Sequence, residues 1–539
     1  MHSIEHDKRE ADNDVSQSLP VTNLLDTFKI LATNSFELTH ISAEILKRPK
    51  DKHGNVLIGI DDTNFTMWEK ILKKIVPTKI FGPIVIPTNP DVIKRILSMH
   101  KYGEDAPFEG NRSTEVISAL VGGDNPFAPT NKATHTRHKQ VFKNHISGDG
   151  NIKKAGLIIT DWISKYSKPD NIINEDTVSS LCARVLIAFL LSPDSVGKET
   201  EDAVIAIKTY FSAKVTAHFS KASAYDKAEN LLTEEISRLY NSSDEEAYPV
   251  VLSKKGMKEE EVRSHILSLF MVGFGNLHSS VMSILIRIAD NPQYRDELSD
   301  SVQLIDGFPF VQFKPASGES LFPQRFFEEA GRLTPAVWTI VRRNRKKELF
   351  IRYEEEGESK EMILPSSSHI LIPNLHLARA IENGDKFNPD RPMEDLKNIP
   401  QFFSEGKNAC PGRNIGYTTN GLLVGGILSE GMTIKLANRP HHVTGTALSW
   451  QANLVLNATD LVEKRNYTKT HASPTFFQKE KLILSLGVGT AMSLMVFLMT
   501  HNLSASIALG LTSAFLAMAF LTQFEHRDKI QFESLNSQF

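Results

Sequence analysis

Apolar residues recur at helical spacing through most of the middle of the chain. Segments around 155–168, 176–193, 200–218 and 225–240 carry them three and four positions apart, which predicts four successive amphipathic helices. A longer run from Glu259 to Ala289 ends at Asn291-Pro292, a stop signal, and predicts a fifth. Its centre reads Phe270-Met-Val-Gly273-Phe-Gly275-Asn276-Leu-His278-Ser279-Ser280. Two glycines inside a helix cost about 1 kcal/mol each relative to alanine, so close packing or a local kink is expected there. Upstream, Phe81–Leu97 changes from a short β run to a helical period, with Asn89 placed as the cap and Pro90 at the first helical position. Residues 430–475 read as β-like and irregular.

The pattern changes abruptly after residue 475. Leu482–Thr500 and Leu503–Thr522 contain no charged residue. Each is long enough to cross a bilayer core of about 30 Å at about 1.5 Å per residue. His501-Asn502 between them predicts a helical hairpin rather than one over-long helix, and Gly487, Gly489, Ala505, Ala508 and Gly510 supply small faces for helix contact. Lys479 and Lys481 before it, with Arg527 and Lys529 after it, place both ends on the cytosolic side. A buried pair of soluble helices is the alternative, and the lack of a polar face on either segment argues against it.

Composition bounds the rest. The 539 residues are 41% hydrophobic and 23% charged, enough for one large domain with an appendage. A net charge of -3 gives no basic surplus, so nucleic acid is not an expected partner. Residues 1–18 are polar and carry no apolar run, which excludes an N-terminal anchor within them. The resulting division is a polar tail over 1–20, a catalytic domain over 21–475, a transmembrane hairpin over 476–525 and a polar tail over 526–539. Only two cysteines are present, and Cys182 sits in an apolar helical run, so the fold is expected to need no disulfide.

The second cysteine lies in Phe403-Ser-Glu-Gly406-Lys-Asn-Ala-Cys410-Pro-Gly412. Glycines on either side let a loop wrap the sulfur and turn backbone N–H groups toward it, as a thiolate metal ligand requires. Taken alone, the loop is also compatible with a buried, inert cysteine. The spacing Phe-x-x-Gly-x-x-x-Cys-x-Gly resembles the signature of the cytochrome P450 superfamily, whose cysteine thiolate holds haem iron. Two further motifs resemble that family in the expected order. These are Glu329-Ala-Gly-Arg332 and Phe387-Asn-Pro389-Asp-Arg391, from which the resemblance implies a buried triad of Glu329, Arg332 and Arg391 behind the cysteine loop.

The resemblance covers roughly residues 60–475 and implies a mainly α (α+β) haem domain with a small β-sheet subdomain. It implies haem b as cofactor, Cys410 as the axial and metal-binding residue, and His135, Lys139 and Arg342 at the haem propionates. His135 and Lys139 share a helix face at i, i+4, although an exposed basic face fits the same spacing. Lysine stands where arginine is usual, and Asn408 stands where Arg or His is usual. Arg342 fits its strand position best, with Arg343 an open alternative. On the distal helix, the family's acid and threonine positions fall on Gly275 and Asn276. The departure leaves Asn276 and His278 as candidate catalytic residues able to organise water or polarise an oxygen ligand, or else as a polar patch lining a pocket. Thr444–Trp450 is a candidate substrate-facing turn.

The implied function is a haem-thiolate monooxygenase acting on a hydrophobic, lipid- or sterol-like small molecule. No flavin or ferredoxin module is visible, so electrons are expected from a separate ferredoxin or flavoprotein reductase. The alternatives are a peroxide-dependent isomerase, dehydratase or peroxygenase of the same fold, and a non-catalytic membrane-anchored haem-binding or interaction protein. The expected location is a membrane, with the catalytic domain facing the cytosol.

Overall fold

A computed structural model describes residues 56–58 and 84–456, the latter without 88, 100–105, 110–111, 123–124, 128–131, 148–149, 169–170, 216–221, 314–320, 338, 356, 367, 393–409 and 445–446. All of these belong to one compact unit, Met1–Thr459. The two uncharged segments of the expected hairpin, both polar tails and Phe403–Ala409 lie outside the described residues.

Thirteen α-helices are described. They are α1 (Pro90–Ser98), α2 (Arg112–Val121), α3 (Lys132–Ile146), α4 (Gly150–Tyr166), α5 (Glu175–Leu190), α6 (Lys198–Val215), α7 (Ala222–Tyr240), α8 (Tyr248–Lys254), α9 (Glu259–Asp290), α10 (Arg295–Asp300), α11 (Phe322–Leu333), α12 (Asn374–Arg379) and α13 (Arg413–Ser429). The four helices expected over 155–240 are α4 to α7, and the long fifth is α9. Their caps are local. Asn89 Oδ1 accepts from Asp91 N at 2.9 Å and starts α1 at Pro90, while Asn174 and Thr177 bond reciprocally to start α5. Glu261 accepts from Lys258 N at 2.9 Å to start α9, with Glu259 and Glu260 also set against its positive N-terminus.

Fourteen short strands make small sheets around this helical body. β1 (Val56–Ile58), β2 (Ile84–Ile86), β3 (Phe108–Glu109), β7 (Ile340–Asn344) and β10 (His369–Ile372) form a five-stranded sheet in the order β1-β2-β10-β7-β3, parallel only between β2 and β10. β4 (Ile172–Ile173), β11 (Ile434–Leu436) and β14 (Leu454–Leu456) form a second sheet. Three hairpins pair β5 (Val302–Ile305) with β6 (Phe308–Val311), β8 (Glu348–Glu355) with β9 (Glu358–Pro365), and β12 (His441–Thr444) with β13 (Leu448–Gln451).

The main core lies among α3 to α9, α11 and α13. A second, smaller core lies between α1 and the β8–β9 hairpin. Helix α9 runs through the centre, buried along most of its 32 residues against α5, α6, α13 and β13. It is also the one described helix long and apolar enough to cross a membrane, and that apolarity is spent on the protein interior. Cys182 of α5 is fully buried in the same core.

Glycine has a measurable role in α13. A Cβ at Gly421 would lie 2.6 Å from the Val311 carbonyl oxygen, and one at Gly425 would lie 2.6 Å from the Pro309 carbonyl oxygen. Helix α13 therefore rests directly on the backbone of the β5–β6 hairpin. We expect Gly425→Ala to cost about 3 kcal/mol, because backbone cannot swing aside as a side-chain tip can. Urea denaturation of the variant checks this, and an unchanged midpoint would contradict it. Gly273 behaves otherwise. A Cβ there would meet only Leu186, at an ordinary 3.8 Å, so close packing does not demand glycine at that place.

Candidate haem-thiolate site

Cys410 immediately precedes α13, and its carbonyl accepts from Arg413 N at 3.4 Å as the helix begins. Its thiol receives the backbone N–H groups of Gly412 and Arg413, and the charges of Arg413 and Lys139 lie within electrostatic range. These favour thiolate, yet burial outweighs them and pushes the thiol up. A sulfur in this setting ionises when a further positive charge lies against it, and a metal ion supplies one.

A buried ion network joins α11 to the segment that precedes the cysteine loop in the chain. Arg332 donates bidentately to Glu329, Nε to Oε2 at 2.6 Å and Nη2 to Oε1 at 2.8 Å. The Arg391 guanidinium lies 3.5 Å from Glu329 Oε1, and all three side chains are at most 5% exposed. The triad implied by the resemblance is therefore assembled. One carboxylate against two guanidiniums leaves a surplus positive charge, and main-chain carbonyls absorb it. Arg332 donates to the carbonyls of Ala378, Gly384 and Lys386, and Arg391 to those of Glu382 and Asn383. Asn388 N also donates to Glu329 Oε1 at 3.0 Å. The network thus ties α11 to the irregular segment 378–391, which leads toward the cysteine loop. None of these carbonyl partners has a signature in residue identity, and only the tertiary structure reveals them.

Arg287 of α9 extends the same region. Its guanidinium lies 5.6 Å from the Phe387 ring and 5.4 Å from the Trp450 ring, linking α9 to that segment and to β13. Trp450 Nε1 in turn donates to Thr334 Oγ1 at 3.0 Å. A second tie joins the helices directly, where Asn420 of α13 donates to Ser280 Oγ of α9 at 2.9 Å.

The remaining candidates separate into two groups. Lys139 lies within electrostatic range of Cys410, and burial lowers its pKa. His135 lies one turn earlier on α3, also half-buried. Arg342 is half-buried on β7 opposite Ile370, with Nη1 donating to the Val341 carbonyl at 3.0 Å. Strand alternation turns Arg343 to the other face of the sheet. On α9, Asn276 shares one face with Val272 and Gly273, and these three stay half-exposed in an otherwise buried stretch. His278 faces elsewhere. Its Nε2 lies 3.3 Å from the Glu175 carbonyl, its ring is parallel to Phe274, and burial lowers its pKa to about 4. The two distal candidates are therefore not brought together.

Sequence reasoning missed His138, which turns inward between the two propionate candidates on α3. Its Nδ1 lies 2.9 Å from Nδ1 of His265 on α9, and His265 Nε2 lies 2.9 Å from the Tyr248 hydroxyl on α8. At that separation one nitrogen carries the proton and the other accepts, so the two imidazoles are not both protonated. The i, i+4, i+7 spacing of His138, Phe142 and His145 was the available signal.

No protein-family model and no curated protein matches the chain. Solved structures do. A six-coordinated cytochrome P450 from Thermus thermophilus aligns with a TM-score of 0.52 at 14% identity, over 69% of this chain and 92% of that one. CYP175A1, from another strain of Thermus thermophilus, aligns at 0.55 and 13%, over 81% and 100%. The retinoic-acid-bound cyanobacterial CYP120A1 aligns at 0.54 and 13%, over 70% and 90%. The architecture is that of a large helical protein with small peripheral sheets. It is the cytochrome P450 fold.

Proposed function

We propose that the protein is a haem-thiolate monooxygenase with Cys410 as the axial ligand, acting on a hydrophobic small molecule of lipid or sterol-like character. The observations that support this reading are the cysteine just before α13, with backbone N–H groups on its sulfur, and the complete Glu329–Arg332–Arg391 network. The donor set fits haem b: one thiol, backbone N–H groups on it, and the cations His135, Lys139 and Arg342 assigned to the two propionates. When bound, haem supplies oxygen activation at a thiolate-ligated iron. The chain's own part is positional. Gly412 and Arg413 N–H groups hold the sulfur, the triad fixes the segment leading to it, and Asn276 presents an amide on the half-buried face of α9. His278 is assigned to anchoring α9 on α5.

Electrons are assigned to a separate ferredoxin or flavoprotein reductase. The uncharged segments Leu482–Thr500 and Leu503–Thr522 are assigned to a membrane hairpin that leaves the domain on the cytosolic side. Gly275 and Asn276, in place of an acid and a threonine, favour a second reading in which a peroxide supplies the oxygen. Turnover of a lipid hydroperoxide without reductase would select it.

The deciding experiment is the absorption spectrum of the reduced protein under carbon monoxide. A strongly red-shifted main band is expected for the wild type, and its loss in Cys410→Ser with haem retained. A wild-type band at the position of histidine-ligated haem, or no bound haem, would overturn the reading and leave a non-catalytic haem-binding or interaction protein.

A further inference from the structure

β8 pairs with β9 along its eight residues and, among the described residues, with no other strand, so its second edge is open. Its inner side chains Ile351 and Tyr353 are buried in the smaller core with α1. Its outer ones face solvent. Phe350 is 49% exposed beside Ile363 of β9 at 48%, and Arg352 and Glu354 are exposed as well. A long strand with an open edge and an exposed aromatic at its centre is a template for a further strand. An open depression of about 490 Å³ lies alongside Phe350, lined by Arg95 and Met99 of α1 and by Phe350, Arg352 and Glu361.

The residues of this edge reverse their charge about Phe350. Lys346 lies four residues before it and Glu354 four after, Glu348 two before and Arg352 two after, with Leu349 and Ile351 on either side. An antiparallel copy centred on Phe350 therefore sets Leu349 against Ile351, Glu348 against Arg352 and Lys346 against Glu354, and two-fold symmetry makes each pairing occur twice. Sliding the copy by two residues is the smallest shift that keeps the outer side chains together. It sets Glu348 against Glu354 in one direction and Lys346 against Arg352 in the other, so like charges reject the neighbouring registers. An anionic membrane suits this face less well, because Glu354 and Glu358 are exposed on the same hairpin as the basic turn at Lys346 and Lys347. We propose that the open edge of β8 pairs with the same edge of a second copy of this chain. The two β8–β9 hairpins then form one four-stranded sheet, with the Phe350 rings meeting at the two-fold axis beside the depression. A single strand edge buries less than a permanent dimer requires, so the association is expected to be weak, with a Kd of about 10–100 μM.

The test is sedimentation of the full-length protein in detergent, at concentrations up to several times that Kd. Wild type is expected to show a monomer–dimer equilibrium that weakens as salt is added. Lys346→Glu and Glu354→Lys should each weaken it at least about tenfold, since each creates two like-charged pairs across the axis. The two variants mixed should form a mixed dimer, and the double reversal Lys346→Glu/Glu354→Lys should regain wild-type affinity, which damage to the fold could not mimic. Both side chains are exposed, so the urea midpoints of all three variants should match wild type. A monomeric wild type, a dimer indifferent to the single reversals, or a double reversal that stays as weak as either single one would overturn the proposal.

Discussion

Arg332→Ala is expected to destabilise the protein by about 3–5 kcal/mol and to abolish the red-shifted carbon monoxide band even where haem is retained. The direction follows from the arithmetic of the network. Glu329 is 1% exposed, accepts from Arg332 and Asn388 N, and is ion-paired with Arg391. Removing Arg332 strips the carboxylate of its bidentate partner and leaves the carbonyls of Ala378 and Gly384 without their donor. Glu329→Gln should cost a similar amount, because two buried guanidiniums would then face one neutral amide. The exposed pair Arg352–Glu361 provides the control. It has a comparable separation of 2.9 Å, but Arg352 is 81% exposed, so Arg352→Ala should leave the urea midpoint unchanged. If Arg332→Ala kept both its wild-type midpoint and its spectrum, the triad would not be what holds the cysteine segment.

The second large effect is on acid stability. His145 and His278 are each lowered to about 4 from an ordinary 6.5, chiefly by burial. Burial also holds His265 well below its ordinary value, and the charges of His138 and Arg137 act in the same direction. All three take up protons in the unfolded chain before they do so in the folded one. Their contribution is therefore intact above about pH 6.5 and is lost as pH falls toward 4. Each loses up to about 1.4 kcal/mol per pH unit within that window, or about 4 for the three together. Urea midpoints measured at pH 7, 6 and 5 should drop steeply and at an increasing rate. In His265→Phe the slope should fall by roughly a third, because one of the three linked groups is gone. A flat profile between pH 7 and 5 would show that these rings are protonated in the folded protein.

Much of the fold was legible from local pattern. The helices over 155–240, the long central helix and the Asn89-Pro90 start are each fixed by spacing or by a cap only a few residues away, and the structure places them within a few residues of expectation. Short elements were not legible. α8 and α12, with 7 and 6 residues, span too few turns to show a period. The close packing expected of the mid-helix glycines does not hold at Gly273. Glycine's cost is local, but the neighbour that would justify it belongs to another helix.

Acting alone, the sequence determined the order of its motifs: Glu329 and Arg332 one helical turn apart, Arg391 some sixty residues later, and Cys410 after a glycine-bearing loop. Side-chain type and spacing decide which groups can pair, and these were enough to expect a buried triad behind a candidate thiolate ligand. The tertiary structure decided what each charge meets. It gave the surplus positive charge of the triad to the carbonyls of 378–386, buried Cys410 while turning the Gly412 and Arg413 N–H groups to its sulfur, and turned His278 away from Asn276. It also set Lys208, half-buried, against the face of the Phe274 ring. The physical reason is the same throughout. Desolvation and backbone carbonyls act through space, and neither is written in the identity of neighbouring residues.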